Sequence, residues 1–378
     1  MKLLMVTGTR ADYGLWRPVL GEIDRRSRPD VEAGLLVTGM HLDERFGSTV
    51  DEVRSSGRTI VAEIPSSPTG DGRAEMAQAI GVSVTAMAPV IESAAPDWLL
   101  LLGDRGEQLA AGLVGLHLGV AIAHLHGGER TLGAVDDAIR DMVSRLAHLH
   151  FVADSSAAAR LERLGEQPWR IHVTGAPGLD DLADVRPEAV DAIRERLHIQ
   201  GDRYAILVYH PETVGRSDPV ADLREVLAAI ADAGLPTVAI LPNTDAGGRA
   251  IRDALLASAP DLRAVVASLP RDEYAALLAG SSLIVGNSSS GIIEAPLLRV
   301  PAVNVGGRQE GRLRGDNVLD AIAERRAIGE AISTALSDSF RTGLSGVSPY
   351  GSGGAASRIV EALLTQPIDD RLLVKEVA

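Results

Sequence analysis

Short aliphatic runs alternate with stretches of helical periodicity through the first half of the chain. The runs are Leu3 to Val6, Ala33 to Val37, Ile60 to Ile64, Trp98 to Leu102, Val120 to Leu125, Leu149 to Val152 and Ile171 to Val173. They are apolar at successive positions, which predicts strands buried on both faces. The helical patterns between them, such as Leu15 to Arg25 and Ala74 to Ala94, predict the crossovers of a parallel sheet. The pattern thins between Gly175 and Asp202, where Pro177, Pro187 and the charged helix AVDAIRERL read as a connection between domains. A second alternating set follows at Ala205 to Tyr209, Thr237 to Leu241, Ala264 to Val266, Leu283 to Val285 and Ala302 to Val305. Gly and Ser gather in a loop from Gly343 to Gly354, and a last helix is expected from Ala356 to Leu364. The fold class is therefore α/β, with two Rossmann-like, doubly wound domains facing a cleft. Their expected spans are residues 1–185 and 200–364, with a C-terminal helix at 365–378 joining the first.

Composition narrows the function. At 378 residues the chain exceeds the size at which a single core stops growing, which fits two domains of roughly 180 residues. A net charge of -14 argues against nucleic acid or an anionic membrane as partner, so any bound phosphate must be met by local Arg, Lys or backbone amides. Without cysteine there is no thiolate metal site and no thiol nucleophile. Unbroken apolar runs such as Trp98 to Leu102 fall far short of a membrane span, and the N-terminus reads as a strand and not a signal peptide, so a cytoplasmic enzyme is expected.

Polar residues concentrate where these strands end, the edge at which open α/β sheets bind ligands. The densest stretch is Ala123 to Phe151. His124 and His126 close a strand, Gly127 and Gly128 turn the chain, Glu129 and Arg130 follow, and Asp136 and Asp137 open a helix through Ile139, Met142, Val143 and Leu146. Asp104 and Arg105 emerge from the fourth run in GDRGE. The first run ends in GTRADYG, where Arg10 suits a phosphate and Asp12 a helix cap, and His41 lies in a loop after the second. His148 and His150 read as structural. In the second half YHPET offers His210, LPNTDAGG offers Asn243 and Asp245, and GNSSSGIIEAP sets Ser288, Ser289 and Ser290 before a helix carrying Glu294. Hydroxyls and unpaired amides there form a phosphate cradle, Glu294 can hold a ribose, and Arg308 and Arg312 of VNVGGRQEGR suit a pyrophosphate. A NAD-binding glycine fingerprint and a P-loop lysine motif are both missing. Carboxylates from one domain and a nucleotide grip from the other point to a nucleotide-sugar enzyme.

Taken in order over nearly the whole chain, GTRADYG, LGDRGE, HLHGGERTLGAVDDAIR, YHPET, PNTDAGG, GNSSSGIIEAP and VNVGGRQEGR resemble the hydrolysing UDP-N-acetylglucosamine 2-epimerases of sialic-acid-type pathways. The resemblance implies a glycosyltransferase-B-like fold, no cofactor and no metal, and a homodimer or homotetramer. It implies that UDP-N-acetylglucosamine becomes N-acetylmannosamine and UDP, by elimination to a glycal and then addition of water. It makes Asp104, Glu129 and one of Asp136 or Asp137 the catalytic carboxylates and puts His210 beside the departing diphosphate. Arg10, Asn243, Ser288, Ser289, Ser290, Glu294, Arg308 and Arg312 would grip the nucleotide, and His41, Arg105 and His126 join the substrate-binding set. Gly106, Arg130 and the pair Gly306–Gly307 depart from the family pattern, which keeps GDP-N-acetylglucosamine and UDP-linked 2,4-diacetamido sugars as alternative substrates. A glycosyltransferase would share this form, but would need an acceptor pocket in place of the carboxylates.

Overall fold

A computed structural model describes residues 1–376 except 48, 71, 133, 183–184, 202, 213–217 and 244. Gly133, Asp202, Thr213 and Thr244, named or spanned by the motifs above, lie outside the described residues. The chain divides into two compact units, Met1–Glu129 with Asp136–Asp180 and Gly353–Ala378, and Arg130–Val135 with Asp181–Ser352.

The first unit is built on a parallel sheet of β1 (Lys2–Thr7), β2 (Glu32–Thr38), β3 (Thr59–Ile64), β4 (Trp98–Leu102), β5 (Ala121–Leu125), β6 (Leu149–Val152) and β7 (Ile171–Val173), in the order β3-β2-β1-β4-β5-β6-β7. Its helices are α1 (Arg10–Arg26), α2 (Val50–Ser55), α3 (Arg73–Ala94), α4 (Gly106–Leu118), α5 (Asp136–Leu146) and α6 (Ser155–Arg163). One face of the sheet packs Leu3, Met5, Leu35, Val37 and Leu100 against Trp16 and Leu20 of α1. The other packs Leu4, Val6, Leu99 and Leu101 against Met87 and Ile91 of α3, Val114 of α4 and Val143 of α5. Burial on both faces is what the unbroken aliphatic runs require.

The second unit holds β8 (Ala205–Val208), β9 (Thr237–Ile240), β10 (Ala264–Val266), β11 (Leu283–Gly286), β12 (Ala302–Val305) and β13 (Val318–Ala321), ordered β10-β9-β8-β11-β12-β13. Its helices are α7 (Pro187–Arg196), α8 (Pro219–Asp232), α9 (Gly248–Ala257), α10 (Arg271–Gly280), α11 (Ser290–Ile293), α12 (Arg325–Ala335) and α13 (Asp338–Gly343). The last helices, α14 (Ala355–Thr365) and α15 (Asp370–Leu373), belong to the first unit.

Three features differ from the sequence expectation. Strand β13 is additional; it is a partly exposed edge strand, VLDA, with an Asp inside it, so it lacks an apolar run. The segment expected to connect the domains contains α7, whose Ile193 lies in the second unit's core with Leu277 and Leu278 of α10. The helix expected to close the second domain, α14, instead seats Ile359, Val360 and Leu363 on the α1 side of the first sheet. Helix α3 has the length and composition of a membrane span, with an 18-residue window of mean hydropathy 1.3, and it packs Ser83, Met87 and Ile91 inward.

In both sheets the strand order reverses beside the first strand of the unit, which creates a switch point between β1 and β4 and another between β8 and β11. Strands β1 and β4 pair only from Leu3↔Trp98 to Met5↔Leu100 and then splay. Buried Gln108 bridges the gap, donating from Nε2 to Val6 O at 3.2 Å and accepting Leu102 N–H on Oε1 at 3.2 Å. In the second sheet Asn287 does the equivalent, accepting His210 N–H at 2.7 Å and donating to His210 O at 2.9 Å. Gly286 before it has φ +130, and a Cβ there would lie 2.0 Å from Val208 O, so only glycine lets the two strands meet this closely.

Candidate active site

In the first unit the turn after β5 is fixed by sterics before chemistry enters. Gly128 has φ +74, and a Cβ on it would lie 2.4 Å from Ala157 O of α6, so the turn sits directly on that helix. His126 also takes a left-handed backbone, φ +61, which costs a non-glycine residue of order 1–3 kcal/mol unless neighbours hold it. They do: His126 N–H donates to Phe151 O at 3.0 Å, and Arg140 Nη1 donates to His126 O at 2.7 Å.

Arg140, buried on α5, also pairs with the Asp104 carboxylate. From α6, Arg160 donates through Nη1 to Glu129 O at 2.7 Å and through Nη2 to Asp137 at 3.0 Å and Asp141 at 2.8 Å. The two guanidiniums thus hold the carboxylates of Asp104, Asp137 and Asp141 and the backbone carbonyl of Glu129 around the turn, beside Asp136 at the start of α5. Burial opposes the charge of Arg140, but the carboxylates of Asp104, Glu129, Asp136 and Asp137 outweigh it and raise its pKa. Glu129 is itself buried, with Oε1 2.5 Å from His126 Nδ1.

The remaining candidates of this unit are held by other partners. His41 is fully buried, with Nε2 3.0 Å from Thr7 Oγ1 and Nδ1 2.8 Å from Thr49 Oγ1, and burial lowers its pKa to about 4. It is held as a neutral strut between the two threonines. Thr9 and Asp12 form a capping box at the start of α1, with Asp12 accepting Gly8 and Thr9 N–H at 2.9 Å each. Arg10 pairs with Glu52 at 2.7 Å, and Arg105 with Glu107 at 3.0 Å. His124 spans Ser144 Oγ and Gly103 O and is lowered by burial to about 3, while His148 accepts Ile122 N–H. Gly106 is a packing residue: a Cβ would meet Ile80 Cγ1 of α3 at 2.7 Å.

In the second unit the serine cradle precedes a single helical turn, α11, and Glu294 is its C-cap instead of lying within a longer helix as expected. Glu294 is buried. Its Oε1 accepts from Arg271 at 2.5 Å, and its Oε2 accepts from Ser290 Oγ at 2.5 Å, while Tyr274 OH donates to Ser290 at 2.5 Å. Ser288 Oγ accepts Ser290 N–H at 3.3 Å, and Ser289 is the N-cap of α11. Arg308 donates to Asn287 O at 3.2 Å and approaches Asp245 at 4.0 Å. Glu212 Oε1 accepts the N–H groups of Gly307 and Arg308 at 2.8 and 3.1 Å. Asn243 Oδ1 accepts Asp245 N–H at 3.3 Å. Arg312 Nε donates to Arg130 O at 2.8 Å, and Arg130 packs over Gly311. Ser288, Asn287, Arg308 and His210 thus meet at the switch point, and Glu294 is held one turn away.

Arg140, Arg160, Arg271, Tyr274, Asn287 and Glu212 were not singled out from the sequence. Arg140 carried the one available signal, an i,i+4 spacing from Asp136, but that spacing reads as a surface ion pair. Among the described residues no group of three His, Asp or Glu is disposed to hold a metal ion.

The sequence profile described as UDP-N-acetylglucosamine 2-epimerase matches residues 23–364. The chain belongs to that family. It is 38% identical over 99% of its length, and 98% of the relative's, to the hydrolysing UDP-N,N'-diacetylbacillosamine 2-epimerase of Legionella pneumophila. It is 33% identical to the UDP-N-acetylglucosamine 2-epimerase of Neisseria meningitidis over 89% of this chain and 88% of that one. The solved structure of a Neisseria meningitidis UDP-GlcNAc 2-epimerase bound to UDP-GlcNAc superimposes with a TM-score of 0.80 at 19% identity, covering 97% of this chain and all of that one, which establishes the two-domain, glycosyltransferase-B-like fold.

Proposed function

We propose that the protein converts a UDP-linked 2-acetamido sugar into UDP and the free 2-epimer, with UDP-N,N'-diacetylbacillosamine as substrate ahead of UDP-N-acetylglucosamine. The sequence motifs alone rank these two the other way. The order changes because the Legionella relative is more similar, and over more of the chain, than the Neisseria one. The observation that carries the chemistry is the cluster of Asp104, Glu129, Asp136 and Asp137 around buried Arg140, in which Arg140 pairs with the Asp104 carboxylate and Arg160 with that of Asp137.

The reaction needs such a cluster. Hydrogen on carbon 2 is a weak acid, so its removal waits on cleavage of the carbon 1–oxygen bond, which develops positive charge on the ring. Fixed carboxylates favour that charge, and their prior orientation by buried arginines leaves little to rearrange during the step. One acid or base supplies about 10² to 10⁴ in rate, so elimination followed by hydration draws on several. In this reading the second unit holds the nucleotide through Ser288, Ser289, Ser290, Asn243, Arg308 and Arg312, with Glu294 on the ribose and His210 near the diphosphate. Arg10 would exchange Glu52 for phosphate.

The test is proton NMR in deuterated water with each UDP-sugar in turn. Free 2-epimer carrying deuterium at carbon 2, together with UDP, is expected, and faster from the diacetamido substrate. Product still attached to UDP, or no turnover of either substrate, overturns the proposal.

A further inference from the structure

We infer that His126, oriented by Glu129, is the base that takes the carbon-2 proton, and that Glu129 acts through the ring and does not touch the sugar. The inference rests on the proposed function and assigns one group within it.

Three observations carry it. First, Glu129 Oε1 lies 2.5 Å from His126 Nδ1, and an ionised carboxylate only accepts, so Nδ1 carries the hydrogen and the lone pair of the neutral ring is on Nε2. Second, Nε2 is buried and has no hydrogen-bond partner among the described residues, although the ring is more than nine-tenths buried. A buried acceptor left unmade is unfavourable, and a substrate atom would complete it. Third, His126 holds a left-handed backbone at a strand end although it is not glycine. The Arg140 bond to its carbonyl and the Phe151 bond to its amide keep it there. Strain maintained in this way aims a side chain that a relaxed strand end would point elsewhere.

The charges around the ring suit a group that becomes cationic. Glu129 faces Nδ1. Arg140 is on the backbone carbonyl and is itself covered by Asp104 and the α5 pair Asp136 and Asp137, while Arg160 is on Glu129 O. His124, on the same strand, is held neutral by burial. The step balances as follows. The C2–H bond breaks and its electrons form the C1=C2 bond, the C1–O bond breaks with its pair leaving on UDP, and the proton ends on Nε2. The imidazolium is then neutralised by Glu129. Inversion requires the second proton to arrive at carbon 2 from the opposite face, from a different acid.

His126→Asn tests this, because Asn tolerates a positive φ and its amide still donates to Glu129, while the Nε2 lone pair is gone. We expect a folded protein with kcat lower by about 10² to 10⁴ and KM within threefold. We expect His126→Ala to recover kcat at least tenfold with added imidazole, which a purely structural loss would not do. Nitrogen-15 NMR of the ring in the wild-type protein should show Nδ1 protonated and Nε2 bare. Near-wild-type kcat in His126→Asn alongside an inactive Glu129→Gln would make Glu129 the base and overturn the inference, as would an Nε2–H tautomer in the spectrum. Absence of turnover by the wild type overturns the proposed function instead, and the ring spectrum still decides the dyad.

Discussion

Arg140 donates to the carbonyl of His126 and to the carboxylate of Asp104, so one buried guanidinium ties the ends of β4 and β5 to α5. Replacing it by Met leaves a carboxylate and a carbonyl without their donor in a buried place. The expected cost is about 3–5 kcal/mol in urea unfolding of the first unit, and Arg140→Lys should recover part of it by supplying one donor in place of a fork. A loss under 1 kcal/mol would mean that the pair is replaced by water at no penalty.

The glycine at 106 invites a different experiment. Its missing Cβ would press on Ile80, so Gly106→Ala should lower stability by about 1–2 kcal/mol, and Ile80→Ala in the same chain should make the glycine change close to neutral. Thermal unfolding of the four variants gives the coupling. Substrate preference should not move, because the contact is between α3 and α4. A switch in preferred sugar with unchanged melting would return Gly106 to the binding site.

Acid should unfold the first unit steeply, and the sign follows from three histidines. Burial lowers His41 to about 4, His124 to about 3 and His148 to about 4. In the unfolded chain each ring titrates near its ordinary value of about 6.5, so between that pH and about 4 the unfolded state binds more protons than the native one. Stability is full above pH 6.5 and falls as the pH drops through this window, by about 1.4 kcal/mol per pH unit for each ring and about 4 for the three. Urea titrations at pH 7.5, 6 and 5 measure the slope, and His148→Asn should remove about a third of it. A flat profile would show the rings already charged when folded.

Most of the architecture could be read from the chain because both sheets are buried on two faces, which writes each strand as an unbroken apolar run. The exceptions had the opposite physics. Strand β13 is exposed at an edge, and α14 carries an apolar stripe that any open sheet face could have taken, so its sequence names no partner. On α5 the apolar pattern suggested Met142 inside, yet Arg140 and Ser144 are buried while Met142 is 46% exposed. Polar residues with long-range partners leave no periodic trace. The strand-end positions of Asp104, Glu129, Ser288 and Arg308 were evident from the chain, whereas the arginines that orient the carboxylates come from other helices and surface only in three dimensions. The burial of His41 was not legible because a polar residue after a strand looks solvated; its two threonine partners lie 34 residues before it and 8 after.

Lys375 offers a test at the far end of α5. Its Nζ donates to Ser144 O, Arg145 O and Ala147 O at 3.2, 3.0 and 2.7 Å and pairs with buried Glu166 at 2.7 Å. Burial disfavours ionised Glu166, but hydrogen bonds from His150 and Lys375 hold it down at about 2. Lys375→Met should cost about 2–4 kcal/mol, with part regained in the double variant with Glu166→Gln, read from a double-mutant cycle in urea. Additive losses would show the two side chains to be independent.

The return of residues 353–378 to the first unit sets an order of events during synthesis. The α1 face of the sheet, with Tyr13, Trp16 and Leu20, stays uncovered on the ribosome until α14 has been made, by which time every residue of the second unit has already been translated. The half that begins first therefore finishes last, and the nascent chain carries an open apolar surface through most of its elongation. A truncation or insertion within residues 353–373 would act on the half that carries Asp104 and Glu129, and not on the half it follows.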